Sequence, residues 1–341
     1  MAYSPAHRRL YLGYESGAIT QVDPDDPGAG EQPFATTAMA TYGLASVGDF
    51  VLAQDNSGAW ESHYIFDRDG NQTDWEEWNH YSRVYAWNEA LQRVYFFRDG
   101  ISPNDLLWEE VDQATGGITA KGETPYHGDF AILPPIRVSA DGARVLLGSG
   151  NVYDALTLEY LTSLPARLTD AAWLADGSLV TIRDSGDGGT LVEQWSADLA
   201  LYNVAVHEGA PLAVRVRGDD IVVITARDGQ PAFAFYVPTD DGDGDGVPNV
   251  DDDFPLDPAA SVDSDGDGYP DAWNAGRGPG DSTTGLVLDA FPLDSACQLP
   301  EHGFPDQPDV CDIAHGIPAY EPDRIAIDEA GIVYLLSTEH D

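Results

Sequence analysis

A short, strongly β-forming run recurs along the first 237 residues and constrains the fold more than any other feature. Each run is rich in Val, Ile, Leu, Tyr and Phe, and turns containing Gly, Asp or Asn flank it, which is typical of short strands joined by tight turns. The matching positions are Leu10, Val51, Val94, Val145, Val180 and Val222. They are spaced by 41, 43, 51, 35 and 42 residues, so the sequence predicts a repeated supersecondary unit.

The turns before these runs favour hairpins, because Asp-Gly between two β-runs is a strong hairpin signal. Such pairs stand in 140–143 and 175–178, and a related turn lies at 217–220. The units resemble the irregular blades of YVTN- and WD40-like propellers, although no Trp-Asp dipeptide closes each blade. The resemblance implies an all-β fold, a β-propeller of six or seven irregular blades over 1–238. Sandwich domains are the structural alternative. Radial repetition favours the propeller because it protects strand edges.

A seventh β-run lies near the C-terminus, at 332–336. The segment 321–341 is therefore expected to be a further propeller strand or the start of another blade. The first ten residues contain no apolar segment typical of a signal peptide, and no apolar stretch approaches the roughly 20 residues of a membrane span. Because the rest of the sequence suggests export, the chain is expected to be part of a longer polypeptide.

The composition changes abruptly at Pro238, after which Asp, Gly and Pro dominate. In 241–252, aspartates stand at loop positions 1, 3 and 5, glycine at 6, and a further aspartate at 12. This is the ligand order of a calcium loop, since Ca²⁺ takes 6–8 oxygen ligands and alternate residues of a tight loop point inward. A disordered acidic linker is the alternative. The expected ligands of this first loop are Asp241, Asp243, Asp245, the Val247 carbonyl, Asn249 and Asp252.

A second copy starts 22 residues later and repeats the first nine positions. Its exit, Phe291-Pro292-Leu293-Asp294, repeats 254–257 after an insertion of 15 residues. Alignment from the exit makes Asp289 the closing ligand, whereas counting from the start gives Asn274, and Asp281 is a further candidate. We favour Asp289. The expected ligands of this second loop are Asp263, Asp265, Asp267, the Tyr269 carbonyl, Asp271 and Asp289.

An EF-hand or a dockerin would need helices around the loop, but the segment before it is strand-like, and Pro255 and Pro258 follow it. The segment 239–295 instead resembles thrombospondin type 3 repeats, in a bacterial form with Phe-Pro-Leu-Asp where the animal pattern has Cys-Pro. The resemblance implies bound calcium, almost no regular secondary structure, and an extracellular, often adhesive, protein. In the following linker, 296–320, Cys297 and Cys311 are expected to form a disulfide rather than remain free thiols.

The charge excludes some partners. Lys plus Arg total 16 against 59 acids, for a formal net charge of -43, so bare nucleic acid and anionic membranes are not expected to bind. Divalent cations or high salt would relieve the self-repulsion. A halophilic source is therefore an alternative reading, because Lys121 is the only lysine.

No recognised catalytic motif is present, so an enzyme is not the favoured reading. His63, His80 and His127 stand in polar, aromatic contexts; convergence at the mouth of the propeller as catalytic or metal residues is the alternative, and the favoured interpretation is ordinary hydrogen-bonded blade and loop histidines. The aromatic stretch 75–87 fits blade core as well as a ligand surface. The favoured function is an extracellular calcium-binding adhesion or binding module with a protein or glycan ligand. The alternatives are a hydrolase or lyase with its site at the central tunnel, and an architectural spacer.

Overall fold

The computed structural model describes ten stretches of the chain. These are residues 1–57, 62–77, 83–98, 104–186, 188–217, 220–236, 241–249, 251–299, 324–327 and 333–336. No helix in these stretches is long and apolar enough to cross a membrane.

The described secondary structure is almost entirely β, with one 3-10 turn at Pro27–Ala29. The strands in chain order are β1 Ala2–Ser4, β2 Arg9–Gly13, β3 Ala18–Val22, β4 Gln32–Thr36, β5 Thr41–Val47, β6 Phe50–Asp55, β7 Ser62–Phe66, β8 Gln72–Glu77, β9 Tyr85–Asn88, β10 Arg93–Phe97, β11 Leu106–Val111, β12 Ile118–Glu123, β13 Ile136–Val138, β14 Arg144–Leu147, β15 Asn151–Asp154, β16 Tyr160–Ser163, β17 Asp170–Trp173, β18 Leu179–Asp184, β19 Gly189–Trp195, β20 Leu201–Glu208, β21 Ala210–Arg217, β22 Asp220–Arg227, β23 Gln230–Tyr236, β24 Arg324–Ile327 and β25 Val333–Leu336.

The strands form antiparallel sheets in which each strand pairs with the next along the chain. Five sheets have four strands each, β1–β4, β5–β8, β9–β12, β13–β16 and β17–β20, and a sixth has three, β21–β23. We call these blades 1 to 6. Strands β24 and β25 form a two-stranded sheet.

The first strands of successive blades are neighbours in space. Contacts join β1 to β5, β5 to β9, β9 to β13, β13 to β17, and β17 to β21. Successive meanders joined side by side through their first strands are the arrangement of a propeller, in which the first strand of each blade is innermost. The all-β propeller prediction is therefore confirmed.

Among the described residues, the core consists of five apolar clusters, one between each pair of successive blades. Between blades 2 and 3, for example, Leu52 and Ile65 pack with Val94 and Val111, all completely buried. Fully burying a side chain of this size contributes about 1.5–3 kcal/mol. The blades are thus held together face to face by apolar packing.

The second strands of blades 2 to 5 are buried on both faces, which explains their continuous apolar runs. Val51 and Ala53 of β6 pack toward blade 1, whereas Phe50 and Leu52 pack toward blade 3. Every residue of β6 is buried. A strand buried on both faces reads as a continuous apolar run rather than an alternating one.

The hairpins before two of these strands are closed by an aspartate side chain. Asp141 accepts hydrogen bonds from the Ser139 hydroxyl at 2.6 Å and the Ala143 amide at 3.0 Å. In the next blade, Asp176 accepts from the Ser178 hydroxyl at 2.6 Å. Gly142 follows at a φ of 74°, the left-handed region that glycine enters without strain. The Asp-Gly pairs of the sequence therefore form the expected turns.

The chain divides into two compact units. The first comprises Met1–Leu201 and Ala205–Pro238, and the second Tyr202–Val204 and Thr239–Asp341. In the second unit, the described residues 241–249 and 251–299 form turns and bends without a helix or strand. We call 241–299 the acidic insert. Its irregular backbone agrees with the predicted fold class.

Candidate metal centre

The first acidic loop brings its odd-numbered aspartates together. One carboxylate oxygen from each of Asp241, Asp243 and Asp245 lies within 4.8 Å of the others. Two oxygens bound to opposite sides of one Ca²⁺ are at most about 5 Å apart, because each Ca–O bond is about 2.3–2.6 Å long. The three carboxylates can therefore contact a single ion.

Backbone amides hold these carboxylates in place. Asp241 accepts hydrogen bonds from Gly244 at 2.7 Å and Gly246 at 3.1 Å. Asp245 accepts from the Val247 amide at 2.6 Å, which fixes position 7 beside position 5. The loop thus curls around its own first carboxylate, as its Asp-Gly alternation predicts.

The second loop repeats this geometry. One oxygen from each of Asp263, Asp265 and Asp267 lies within 4.8 Å of the others. Asp263 accepts from Gly266 at 2.8 Å and Gly268 at 2.7 Å, and the Tyr269 amide donates to Asp267 at 2.9 Å. Equivalent atoms form equivalent hydrogen bonds, so the two copies are structural as well as sequence repeats.

Glycines at positions 4 and 6 make this curl possible. The φ angles are 77° at Gly244, 97° at Gly246, 76° at Gly266 and 90° at Gly268. A side chain would strain the backbone in this left-handed region.

The closing aspartate of each loop is the most buried. Asp252 is 8% exposed and Asp289 is 7% exposed. In both, one oxygen accepts an amide hydrogen bond two residues ahead, from Phe254 at 2.8 Å and from Phe291 at 2.7 Å. The structure thus gives Asp289, rather than Asn274 or Asp281, the surroundings of Asp252.

Six buried carboxylate oxygens of the two loops form no hydrogen bond of normal geometry within the described protein. They are Asp243 Oδ2, Asp252 Oδ2, both oxygens of Asp265, Asp267 Oδ2 and Asp289 Oδ2. Buried polar atoms are almost always paired, and an unpaired one calls for an ion or a water molecule. The donor set suits a hard cation, because it is all oxygen and negatively charged.

The electrostatics agree with this geometry. Burial, together with the charges of Asp243 and Asp245 and against the amide hydrogen bond from Phe254, raises the pKa of Asp252 to about 6. Burial raises the pKa of Asp289 too, and the charges of Asp267 and Asp265 add to it. Burial and neighbouring aspartates also raise the pKa of Asp243 and of Asp265. Both loops therefore concentrate negative charge that is not locally compensated.

Position 9 closes each loop through hydrogen bonds. Asn249 Oδ1 accepts from the Gly242 amide at 2.7 Å. Asp271 accepts from the Ser264 amide at 3.0 Å and the Ser264 hydroxyl at 2.5 Å. Both side chains therefore tie position 9 to position 2, a role that the ligand pattern did not predict.

Asp257, in the exit of the first loop, is a residue that the sequence reasoning missed. It is 1% exposed, and its Oδ2 accepts hydrogen bonds from Ser282 and Thr284. These bonds outweigh the opposing effect of burial and lower the pKa of Asp257 to about 2. Unlike Asp252 and Asp289, Asp257 has hydrogen bonds from the protein to both of its oxygens. The repeated Phe-Pro-Leu-Asp exit was the available signal.

The other two candidates for position 12 of the second loop lie elsewhere. Asn274 donates to Asp245 Oδ2 of the first loop at 2.5 Å. Asp281 is exposed and accepts from the Gly278 amide at 2.9 Å.

Cys297 is completely buried, and its amide donates to the Asp294 carbonyl at 2.8 Å. Cys311 lies outside the described residues, so the disulfide stays a prediction.

The two described histidines of interest occupy different environments. His63 is buried, with Nδ1 2.8 Å from Glu109 Oε2 and Nε2 3.0 Å from the Tyr85 hydroxyl. The His127 side chain is 76% exposed, with Nδ1 4.0 Å from Asp105 Oδ2. His80 lies outside the described part of the chain. In the aromatic stretch, Tyr85 and Trp87 pack against a core cluster, whereas Trp75 is exposed.

A charged cluster on three innermost strands was also not predicted. Asp170 of β17 pairs with Arg137 of β13 and, at 2.5 Å, with Arg215 of β21. Arg137 also donates to the carbonyls of Ala171 at 3.1 Å and Ile136 at 2.8 Å. These bonds tie blades 4, 5 and 6 together, and engage all three guanidinium nitrogens of Arg137.

Comparisons with known proteins assign no family to the chain. No protein-family model matches the chain, and no curated protein matches it. Among solved structures, it is similar to the computationally designed Ika8 protein, with 14% identity, coverage of 69% of this chain and 70% of that chain, and a TM-score of 0.47.

Two further similar structures are the WD40 β-propeller domain of Doa1 and BamB from Moraxella catarrhalis. The first has 14% identity, 69% and 76% coverage of the two chains and a TM-score of 0.45. The second has 12% identity, 69% and 83% coverage and a TM-score of 0.40. At these scores the likenesses carry no functional argument, and the propeller assignment rests on strand order and contacts between sheets.

Proposed function

We propose that the acidic insert binds two calcium ions, one in each loop, and that the ions have a structural role. The observation that carries this proposal is the set of buried, unpaired carboxylate oxygens contributed by both loops. They occur on five of the residues that the sequence pattern names as ligands. An ion at each loop would satisfy them together.

The charge of the insert explains why ions would be needed for folding. The described residues 241–249 and 251–299 contain 14 aspartates and one basic residue, Arg277. The segment has little apolar area with which to offset its conformational entropy. Calcium would cancel the repulsion within each loop and cross-link its backbone.

Calcium fits the donors better than other common metals. Zinc sites use Cys or His ligands, and neither loop contains one. Magnesium requires near-ideal octahedral geometry and keeps several waters, whereas calcium accepts more oxygens in a flexible cage. Clustered carboxylates with several unpaired oxygens match the calcium requirement.

The residue spacing also supports assigning the insert to a thrombospondin type 3-like repeat in an extracellular binding or adhesion module. Calcium sites in extracellular modules have dissociation constants on the order of 10⁻⁴–10⁻³ M, so they are filled outside the cell. A protein or glycan would be the partner. The propeller supplies the scaffold for such a module.

Equilibrium dialysis in millimolar calcium, followed by metal analysis, tests the proposal. We expect two bound calcium ions per chain and retention of both in excess magnesium. Limited proteolysis with and without chelator should show cleavage in 241–299 only after calcium is removed, with blades 1 to 6 intact. Recovery of no bound calcium would overturn the assignment.

A further inference from the structure

The second loop differs from the first in the length of chain before its closing aspartate. We call the residues between Asp271 and Asp289 the excursion. Asp252 follows Asn249 by three positions, but Asp289 follows Asp271 by eighteen. The intervening described residues contain no helix or strand. Returning Asp289 to its loop therefore requires ordering many residues, which costs conformational entropy.

Hydrogen bonds to the exit of the first loop hold this excursion. Asp257 Oδ2 accepts from the Ser282 hydroxyl at 2.6 Å, the Thr284 amide at 2.9 Å and the Thr284 hydroxyl at 2.6 Å. The Thr283 hydroxyl donates to the Leu256 carbonyl at 2.8 Å. Hydrogen bonds to a carboxylate are stronger than neutral ones, so the buried Asp257 is the main anchor.

A second contact runs in the opposite direction. Asn274 lies between Asp271 and Asp289 of the second loop, yet its Nδ2 donates to Asp245 Oδ2 of the first loop at 2.5 Å. Its Oδ1 accepts from the Ser261 hydroxyl at 2.6 Å, and its backbone N–H donates to the Ala259 carbonyl at 2.7 Å. The bond from Ser261 to the side chain and the bond from the backbone to Ala259 therefore hold Asn274 where its carboxamide orients Asp245.

We infer that Asp257 is a positioning residue for the second calcium site, and that Asn274 is a positioning residue for the first. Each site depends on a side chain that belongs to the other repeat. The inference rests on the proposed calcium binding and adds the order of dependence between the two sites. It accounts for the 15-residue insertion, which carries the hydroxyls that reach Asp257.

The chain offers matched controls. Asp294 is the counterpart of Asp257 in the second exit, but the hydrogen bond that its side chain accepts comes from Ala296, at 3.3 Å. Asp281 lies within the insertion and is exposed, beside Arg277 at 3.8 Å. Removing the charge of Asp281 changes the insertion without touching its anchor.

The experiment measures each site separately by calcium titration calorimetry on the full chain. D265N/D289N leaves the first site, and D243N/D252N leaves the second. In each background the anchor is removed by S282A/T284V, which keeps the Asp257 charge. We expect this change to weaken the second site by about tenfold or more and the first by less than about twofold.

N274A should do the reverse, weakening the first site and sparing the second. D281N should alter neither site, and S282T/T284S, which restores both hydroxyls, should recover the second-site affinity. Equal weakening of both sites by S282A/T284V, or no change in the second, would overturn the inference. Absence of calcium binding by the unmodified protein would instead refute the proposed function.

Discussion

His63 Nδ1 on blade 2 lies 2.8 Å from Glu109 Oε2 on blade 3, and both side chains are completely buried. The pair joins two blades, and the Phe96 ring packs beside it, with its centroid 4.8 Å from that of His63. Its two members come from strands far apart in sequence. It is therefore a buried polar contact between two blades that also pack through apolar side chains.

Replacing His63 with alanine is expected to destabilise the propeller by about 3–5 kcal/mol, because Glu109 would be left buried without this partner. Urea unfolding followed by tryptophan fluorescence measures the change. His127→Ala is the control and should alter stability by less than about 0.5 kcal/mol, since that ring is exposed. Equal effects of the two substitutions would contradict the structural role of His63.

Replacing either Asp252 or Asp289 with asparagine should disable one of the two proposed calcium sites. Asp252→Asn and Asp289→Asn keep side-chain size but remove a charge and one strong calcium ligand. We expect calorimetry to show one site retained in each variant and none in the double variant. Asp281→Asn should retain both sites. Two full-affinity sites in Asp289→Asn would show that another residue closes the second loop.

Alanine at the left-handed glycines should weaken calcium binding through the backbone alone. No heavy atom lies within 4 Å of a Cβ built on Gly246 or Gly268, so the cost comes from φ. A left-handed alanine costs about 1–2 kcal/mol, which corresponds to roughly tenfold in affinity. Gly280→Ala, where space is equally open and φ is not left-handed, should bind calcium normally.

The stability of the propeller should fall in strong alkali because of Tyr11. Burial, against the charges of Arg9 and Arg68, raises the pKa of Tyr11 from 10.0 to about 12. A raised pKa favours the protonated form in the folded state, so this stabilisation is present below pH 10 and lost as pH rises toward 12. The shift corresponds to about 2–3 kcal/mol.

Spectrophotometric titration at alkaline pH and urea midpoints between pH 9 and pH 12 test this prediction. We expect a late-titrating tyrosine that is missing in Tyr11→Phe, and a shallower loss of stability in that variant. Titration curves that coincide for the two proteins would contradict a buried Tyr11 hydroxyl. The insert is not involved, so chelator should leave the result unchanged.

The blade architecture could be predicted because the second strands of blades 2 to 5 are buried on both faces and therefore have continuous apolar sequences. Val94, Val145 and Val180 mark such strands, and all three are buried. The partners of His63 and Asp170 could not be predicted in this way. A lone histidine or aspartate carries no local pattern, and its partner is chosen by the packing of blades distant in sequence.

In the acidic loops, too, local contacts could be predicted from the sequence and long-range contacts could not. Local spacing placed Asp241, Asp243 and Asp245 in one turn, because short-range backbone geometry brings them together. The roles of Asp257 and Asn274 depend on how the insertion folds back, which no periodicity records. Aligning the two exits did point to Asp289, since a repeated exit implies repeated surroundings.

Burial of these second strands on both faces also preserves their apolar pattern when the sequence changes. An interface of this kind requires side chains of suitable volume and polarity rather than particular ones, and cores tolerate such exchanges when total volume is kept. Individual residues can therefore differ from blade to blade while the regular spacing of apolar segments is kept. The repeated blades would then remain recognisable by the spacing and hydrophobicity of their second strands after position-by-position similarity has been lost.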